Sequence, residues 1–349
     1  MSGWLIYGAT GYTGRLIARE AARRGHRPVL AGRSAAPVEA LAKELGLPAR
    51  VVLLDEPAKI AQSLGDVTLV LNCAGPFSRT AEAWFAACLL ARVHYLDITG
   101  EIDVLERAQA LDAQAKAAGI VICPGVGFDV IPTDCVAAML KEALPGAQQL
   151  ALGFDGAQTM SPGTAKTMVE NLAAGGKVRR QGRIVSVPYG YGRRRIDFGR
   201  GETRAMAVPW GDIVTAFYTT GIPNITVYAR ASRTQLQLAG LLNALRWVFR
   251  SRTVRRYLER RIEAKVSGPD DAARAAGSVF VWGEAHDGGT SAWIRIRTAE
   301  AYALTVSGAL GVVERLLENP APPGSTTPAR LMGSRYVLSL PGTTLLARG

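Results

Sequence analysis

Histidine and cysteine are scarce in this chain, at three and four among 349 residues, and the scarcity removes several chemistries at once. His94 sits in an apolar run and reads as a satisfied core residue, while His26 falls in a loop and His286 near a strand end. No metal site is therefore predicted. Cys73, Cys88, Cys123 and Cys135 form no Cys-x-x-Cys pair and no framework spacing, so they read as buried thiols of a reducing, cytoplasmic compartment. No Ser/His/Asp arrangement emerges for nucleophilic catalysis. The hydrophobic run within 234–265 is too short and too interrupted to span a bilayer. No leader is read, because strand-like residues begin within a few positions of Met1. Internal repeats and low-complexity tracts are missing too.

What the chain does have is glycine, at 38 residues, and a hydrophobic content of 48%. That balance suits an α/β protein with many tight turns, and the length accommodates two domains. The formal net charge of +12 comes mostly from arginine and is densest over 246–261. No recognition motif accompanies it, so no nucleic-acid partner is predicted; an anionic cofactor or a thioester would profit from the same field.

The most informative stretch is the first. Trp4-Leu5-Ile6-Tyr7 runs into Gly8-Ala9-Thr10-Gly11-Tyr12-Thr13-Gly14, and a helical pattern begins at once behind it. Strand, glycine turn and helix N-terminus in this order form the arrangement that holds a dinucleotide pyrophosphate. Gly8 permits the turn, Gly11 lets phosphate approach the backbone, and Gly14 lets the helix pack closely. The second strand, Pro28 through Ala31, ends in Gly32-Arg33-Ser34, where an NAD protein would carry a carboxylate for the ribose 2′-hydroxyl. Arg33 and Ser34 suit a 2′-phosphate instead, so the expected cofactor is NADP(H).

Further near-continuous apolar runs follow at Val51–Leu54, Val67–Leu71, Val93–Leu96 and Ile120–Ile122, as buried parallel strands require. Polar residues cluster at their carboxyl ends, where ligands bind in a doubly wound sheet. Asp55 is a candidate for the adenine end, with a helix cap as the equal alternative. Asn72-Cys73-Ala74-Gly75-Pro76 is the candidate for the nicotinamide ribose. From about Gln149 short β-like segments take over. The fold class expected is α/β: an N-terminal Rossmann doubly wound parallel sheet, with a second α+β domain built on a mostly antiparallel sheet. The boundaries read as 1–128 for the cofactor domain, 129–300 for a substrate and dimerisation domain, and 301–349 for a segment returning to the first. A homodimer is expected.

Within the second domain, 234–265 combines an apolar face (Leu236, Leu238, Leu241, Leu242, Leu245, Val248, Phe249) with a train of arginines. A basic amphipathic helix of this type usually packs on its own domain or a second subunit. Peripheral contact with an anionic membrane, or docking to an acidic partner, is the second reading.

Taken together, the glycine turn, Ala31-Gly32-Arg33, Asn72 through Phe77, Tyr95-Leu96-Asp97-Ile98-Thr99-Gly100-Glu101 and Gly127-Phe128-Asp129-Val130-Ile131-Pro132-Thr133-Asp134 resemble the saccharopine dehydrogenase-like superfamily. Within it the chain is most similar to the branch called trans-acting enoyl reductases, a likeness shared by Ser161-Pro162-Gly163-Thr164-Ala165 and Thr327-Pro328-Ala329-Arg330. The resemblance implies NADP contacts from Thr10, Gly11, Tyr12, Arg33, Ser34, Ala74, Gly75 and Pro76. It also implies reduction of a C=C bond conjugated to a thioester or ketone, on a small-molecule or carrier- or lipid-linked acyl substrate.

For the proton that accompanies a hydride, Tyr95 and Asp97 are the candidate catalytic residues, read as pointing to opposite faces of their strand. Glu101 is a donor or a helix cap. Phe128, Asp129, Thr164 and Lys166 are the candidate substrate contacts, with a plain surface lysine as the alternative for Lys166. The tyrosine–lysine spacing of short-chain reductases is missing, since Thr99 stands four residues after Tyr95. Two other readings stay open: C=N reduction of saccharopine type, which needs a basic cluster such as Arg179, Arg180, Arg193, Arg194 and Arg195 to hold carboxylates, and a non-catalytic NADP-binding scaffold.

Overall fold

The computed structural model describes residues 3–156, 161–163, 165, 169, 175–266 and 268–349. Two compact units are present: Met1–Asp129 with Thr305–Met332, and Val130–Leu304 with Gly333–Gly349. The segment expected to return whole to the first unit thus divides, its last residues belonging to the second.

In the first unit, strands β1 (Gly3–Tyr7), β2 (Val29–Gly32), β3 (Ala49–Val51), β4 (Val67–Asn72), β5 (His94–Asp97) and β6 (Val121–Cys123) are all parallel, in the order 3-2-1-4-5-6. That order places a switch point between β1 and β4, where the connections leave to opposite sides. Helices α1 (Tyr12–Arg23), α2 (Ala35–Leu45), α3 (Pro57–Gln62), α4 (Ala81–Ala91), α5 (Ile102–Ala110) and α6 (Asp112–Ala118) alternate with the strands. The strands read as unbroken apolar runs because both faces are covered: Leu5, Ile6, Leu69, Val70 and Leu71 are all fully buried. Each such side chain contributes about 1.5–3 kcal/mol by leaving water, which is what makes the run a strand and not a loop. The third strand lies two residues earlier than its apolar run predicts, and Leu53 beyond it is exposed, as an edge strand permits.

In the second unit, α7 (Ile131–Ala143) leads into β7 (Gln149–Asp155), β8 (Gly176–Arg180), β9 (Arg183–Val187), β10 (Arg194–Asp197), β11 (Glu202–Ala207), α8 (Asp212–Thr220) and β12 (Asn224–Arg230). Then come α9 (Arg233–Ala244), α10 (Arg252–Lys265), α11 (Asp271–Ala276), β13 (Ser278–His286), β14 (Ser291–Ala299) and α12 (Ala301–Glu318), within which the units divide. A two-residue strand β15 (Gly324–Ser325) adds a seventh parallel strand beside β6. The chain closes with α13 (Pro328–Met332), α14 (Tyr336–Ser339) and β16 (Thr344–Arg348). The second sheet has nine strands, antiparallel except for the pair β7 and β12. Helices α7 and α8 are joined by polar bonds, one buried and one partly so: Thr133 donates to Asp212, and Thr219 donates to Asp134 at 2.6 Å. Asp134 is therefore a tie between helices.

Candidate cofactor and active site

At the switch point the exits of β1 and β4 touch. Gly8 adopts a φ of +76°, and a Cβ on it would stand 2.8 Å from the Ala74 nitrogen. The Cys73 N–H donates to the Tyr7 carbonyl at 2.8 Å, and the Gly8 N–H to the Ala31 carbonyl at 2.9 Å. Gly14 is tighter still, since its Cβ would lie 2.2 Å from the Gly8 carbonyl oxygen. Both positions are thus closed to any side chain by the protein itself. Gly11 differs. It is exposed, caps α1 with an ordinary φ of −69°, and an added Cβ would meet only the Gly8 oxygen at 3.2 Å. No side chain caps α1 and no acidic residue occupies its first turn, so its N–H groups and positive dipole end are offered outward.

Along the same edge Arg33 and Ser34 are exposed at the exit of β2. Neither side chain makes a hydrogen bond or ion pair among the described residues, and the Ser34 hydroxyl leaves the N-terminus of α2 uncapped. A cradle of glycine, helix N-terminal N–H groups, a guanidinium and a hydroxyl fits a pyrophosphate and a 2′-phosphate. Thr10 is half-buried in the turn, and Tyr12 opens α1. Asp55 spends its Oδ1 on the neighbouring Glu56 N–H at 2.7 Å, Glu56 being the residue that caps α3.

The exits of β4, β5 and β6 are laced together by buried polar groups. Asn72 accepts from the Ala74 N–H at 3.0 Å and donates to Thr80 and to the Tyr95 hydroxyl, both at 3.2 Å. Thr80 donates in turn to the Ala74 carbonyl at 2.8 Å, fixing the Ala74-Gly75-Pro76 bend. The Tyr95 hydroxyl donates to Asp97 at 2.8 Å. Asp97 accepts from the N–H groups of Thr99 and Gly125, each at 2.9 Å. Glu101 accepts from the N–H groups of Phe77 and Ser78, both at 2.8 Å. Each buried group left unpaired here would cost about 1–3 kcal/mol, so the lacing holds three loops in one shape.

This geometry revises the reading of the catalytic pair. Tyr95 and Asp97 share a face of β5, as residues two apart on an extended strand must, and both are completely buried. Burial pushes the Tyr95 phenol well above its ordinary range and Asp97 up to about 6. Glu101, read as donor or cap, stands at the N-cap position just before α5 and is a clamp on the β4 loop. Its role had one faint signal, a carboxylate a few residues beyond a strand end. Among the thiols, Cys88, Cys123 and Cys135 are buried and Cys73 is half-buried, with desolvation and the neighbouring Asp97 raising its pKa. His94 accepts from the Val121 N–H at 2.9 Å, and burial lowers its pKa.

The exit of β6 carries a different carboxyl. Phe128 is buried, its N–H donating to Thr305 at 2.9 Å. Asp129 is half-buried and lies over Gly100, where an added Cβ would stand 3.1 Å from its Oδ2. It has no hydrogen-bond or ionic partner among the described residues, and burial alone pushes it up to about 7. Thr164 and Lys166 lie outside the described residues. Ser161, just before them, donates its N–H to the Tyr302 hydroxyl at 2.6 Å.

Comparison with known proteins decides what the cradle belongs to. Residues 4–123 match the family described as saccharopine dehydrogenase NADP binding domain. This part of the chain is a saccharopine dehydrogenase NADP-binding domain. Its cofactor is NADP(H), in agreement with Arg33 standing where a carboxylate would repel the 2′-phosphate.

Beyond the NADP-binding domain the likenesses are looser. A Mycobacterium tuberculosis protein whose name proposes a trans-acting enoyl reductase is 32% identical over 201 residues, covering 53% of this chain and 48% of that protein. The human saccharopine dehydrogenase-like oxidoreductase is 33% identical over 151 residues, covering 37% of this chain and 35% of that protein. The chain thus spans half or less of the curated relatives it matches. An apo saccharopine dehydrogenase (L-Glu forming) from Saccharomyces cerevisiae covers 100% of this chain and 99% of its own at a TM-score of 0.65. At 12% identity that match shows a shared fold.

Proposed function

We propose that this protein is an NADPH-dependent oxidoreductase that reduces a C=C bond conjugated to a thioester or ketone. The observation that carries the reading is the division of labour at the carboxyl edge, where a cofactor cradle and one unpartnered carboxyl, Asp129, stand out from a fully bonded scaffold. When bound, the cofactor supplies hydride chemistry. The protein has to hold it, orient the acceptor and deliver a proton. Gly11 and the first turn of α1 hold the pyrophosphate, and Arg33 with Ser34 hold the 2′-phosphate. With a hydride supplied by the bound cofactor to the β-carbon and a proton supplied by a protein group to the α-carbon, the π bond would be replaced by two C–H bonds and the C–C single bond would remain.

Tyr95 is a poor source for that proton, since it is enclosed and already donates to Asp97. Asp129 has the required properties: it is reachable, unpartnered, and matched to neutral pH. The names of the mycobacterial relatives support the C=C reading. The C=N alternative loses its carboxylate cradle, because the arginines that could form one are engaged. Arg179 donates to the Ile213 and Gly182 carbonyls and lies over Phe217. Arg180 bonds the Tyr191 hydroxyl, and Arg193 the Gly190 and Leu236 carbonyls. Arg194 pairs with Glu284 and Arg195 with Glu202.

The test is NADPH consumption against two panels, enoyl thioesters and enones in one, keto acids with amino acids in the other. Turnover in the first panel is expected. Turnover confined to the second would replace this reading with C=N reduction, and NADPH binding without turnover in either would favour a scaffold.

A further inference from the structure

Helix α9 turns its apolar side the wrong way for a helix packed on its own domain. Ala239 is its only buried residue, flanked by half-buried Leu236 and Asn243, and this is the face that meets the rest of the unit. Asn243 anchors it by exchanging hydrogen bonds with the Tyr189 backbone at 2.8 and 3.1 Å. Leu238, Leu241 and Leu245 fall on one stripe by their i, i+3, i+7 spacing, and they are exposed. Trp247, just past the helix end, is 70% exposed. The helix is well specified despite this, with a complete capping box between Ser232 and Gln235. An exposed leucine stripe ending in a tryptophan therefore belongs to a regular, capped helix. It is not the by-product of a frayed one.

The stretch that follows decides what could cover it. Residues 252–265 contain six basic and two acidic residues. Arg256, Arg260 and Arg261 are exposed and form no ion pair among the described residues. Tyr257, exposed as well, lies under the Arg261 guanidinium at 5.7 Å. A second copy is a poor occupant, because a two-fold contact through this stripe would bring two identical arginine-rich segments together. No described helix is long and apolar enough to cross a membrane. An apolar stripe, an interfacial tryptophan and an adjoining cationic helix match instead a surface that is apolar beneath and anionic above.

We propose that 233–265 docks this protein on an anionic membrane surface, with Leu238, Leu241, Leu245 and Trp247 entering the acyl boundary and Arg256, Arg260 and Arg261 meeting the headgroups. The proposal is independent of the reaction catalysed.

Sedimentation of the 349-residue chain with vesicles tests it. Binding is expected to phosphatidylcholine vesicles carrying 30% phosphatidylserine, and to weaken steeply with salt. Arg256→Glu with Arg260→Glu should lower partition on the order of tenfold or more, each cation contributing separately near such a surface. Leu241→Ser and Trp247→Ser should each reduce it too, with NADPH binding kept in all variants as the check on folding. Brominated lipid should quench wild-type tryptophan fluorescence more than that of Trp247→Phe. No sedimentation with anionic vesicles, equal sedimentation with neutral ones, or indifference to both sets of substitutions would overturn the assignment. So would a stable dimer in solution that Leu241→Ser converts to monomer, since the stripe would then be a subunit contact.

Discussion

The carboxyl edge of the first sheet has an interior and a rim, built from the same residue types to opposite ends. In the interior Gly8, Gly14, Tyr95, Asp97 and Glu101 are all engaged by the protein, through contacts or hydrogen bonds. On the rim Gly11, Arg33, Ser34 and Asp129 have little or nothing of the protein against them. Two aspartates illustrate the difference. Burial raises both, but Asp97 spends its oxygens on Tyr95, Thr99 and Gly125, while Asp129 spends none. A raised carboxyl is therefore no mark of chemistry in itself. What separates scaffold from reagent is whether the group still has hydrogen-bonding capacity to offer a ligand.

The largest effects should come from the two glycines that differ most. Gly14→Val puts a side chain into the Gly8 carbonyl and should destroy both the turn and NADPH binding, with a stability loss of about 3 kcal/mol or more. Gly11→Val should lose NADPH and NADH just as completely while melting within a few degrees of wild type. Thermal unfolding beside cofactor fluorescence separates the two. A Gly11→Val protein that binds NADPH normally would mean the pyrophosphate lies elsewhere.

Asp129→Asn comes next. If Asp129 delivers the proton, turnover should fall by about 10²–10⁴-fold with cofactor affinity unchanged. The pH profile carries the sign. The acid form prevails below about pH 7, so the wild-type rate should fall as pH rises through that value, and the variant should lack that limb. Stability should move the same way. A carboxyl raised in the folded state favours folding at low pH and loses that contribution as pH climbs from the ordinary carboxylate range to about 7. Asp129→Asn should thus melt no lower than wild type at pH 8. A variant that keeps its rate would return Asp129 to the scaffold.

Arg33→Asp should weaken NADPH by about 10–100-fold, the worth of a charge-assisted contact, and NADH by much less. Equal losses for both would remove the 2′-phosphate assignment.

How much of this was legible in the sequence follows the same division. The first sheet's strands announce themselves because both faces are apolar, and the cofactor turn because glycine has few other reasons to recur at that spacing. Residues whose role is set by a distant partner do not. Tyr95 and Glu101 look like reagents until Asp97 and the β4 loop are seen against them. β15 is two residues long and exists through its pairing with Val121 and Ile122, so no periodicity could reveal it. β8 carries one buried valine and a buried arginine whose guanidinium is satisfied by carbonyls of other segments, a pattern that reads as surface. In α9 the sequence shows an apolar stripe, yet periodicity cannot say which side of the helix the domain occupies.

The smallest effect on turnover should belong to Tyr95→Phe, and it is the sharpest test of the interior. The substitution removes one hydroxyl from a closed site. Asn72 keeps Thr80 as a partner at 3.2 Å, but Asp97 loses its only side-chain donor. The expected cost is about 1–3 kcal/mol of stability, seen as a lower melting temperature. Because that hydroxyl lowers the Asp97 pKa, its loss should also raise it further, so the deficit should widen as pH rises and the carboxylate must be held charged without it. The rate per folded molecule should stay within about threefold of wild type, the loops being still held by Glu101 and by the Thr99 and Gly125 N–H groups. The opposite pattern, an unchanged melting temperature with a hundredfold slower reaction, would make Tyr95 the proton donor and move the boundary between interior and rim inward by one residue.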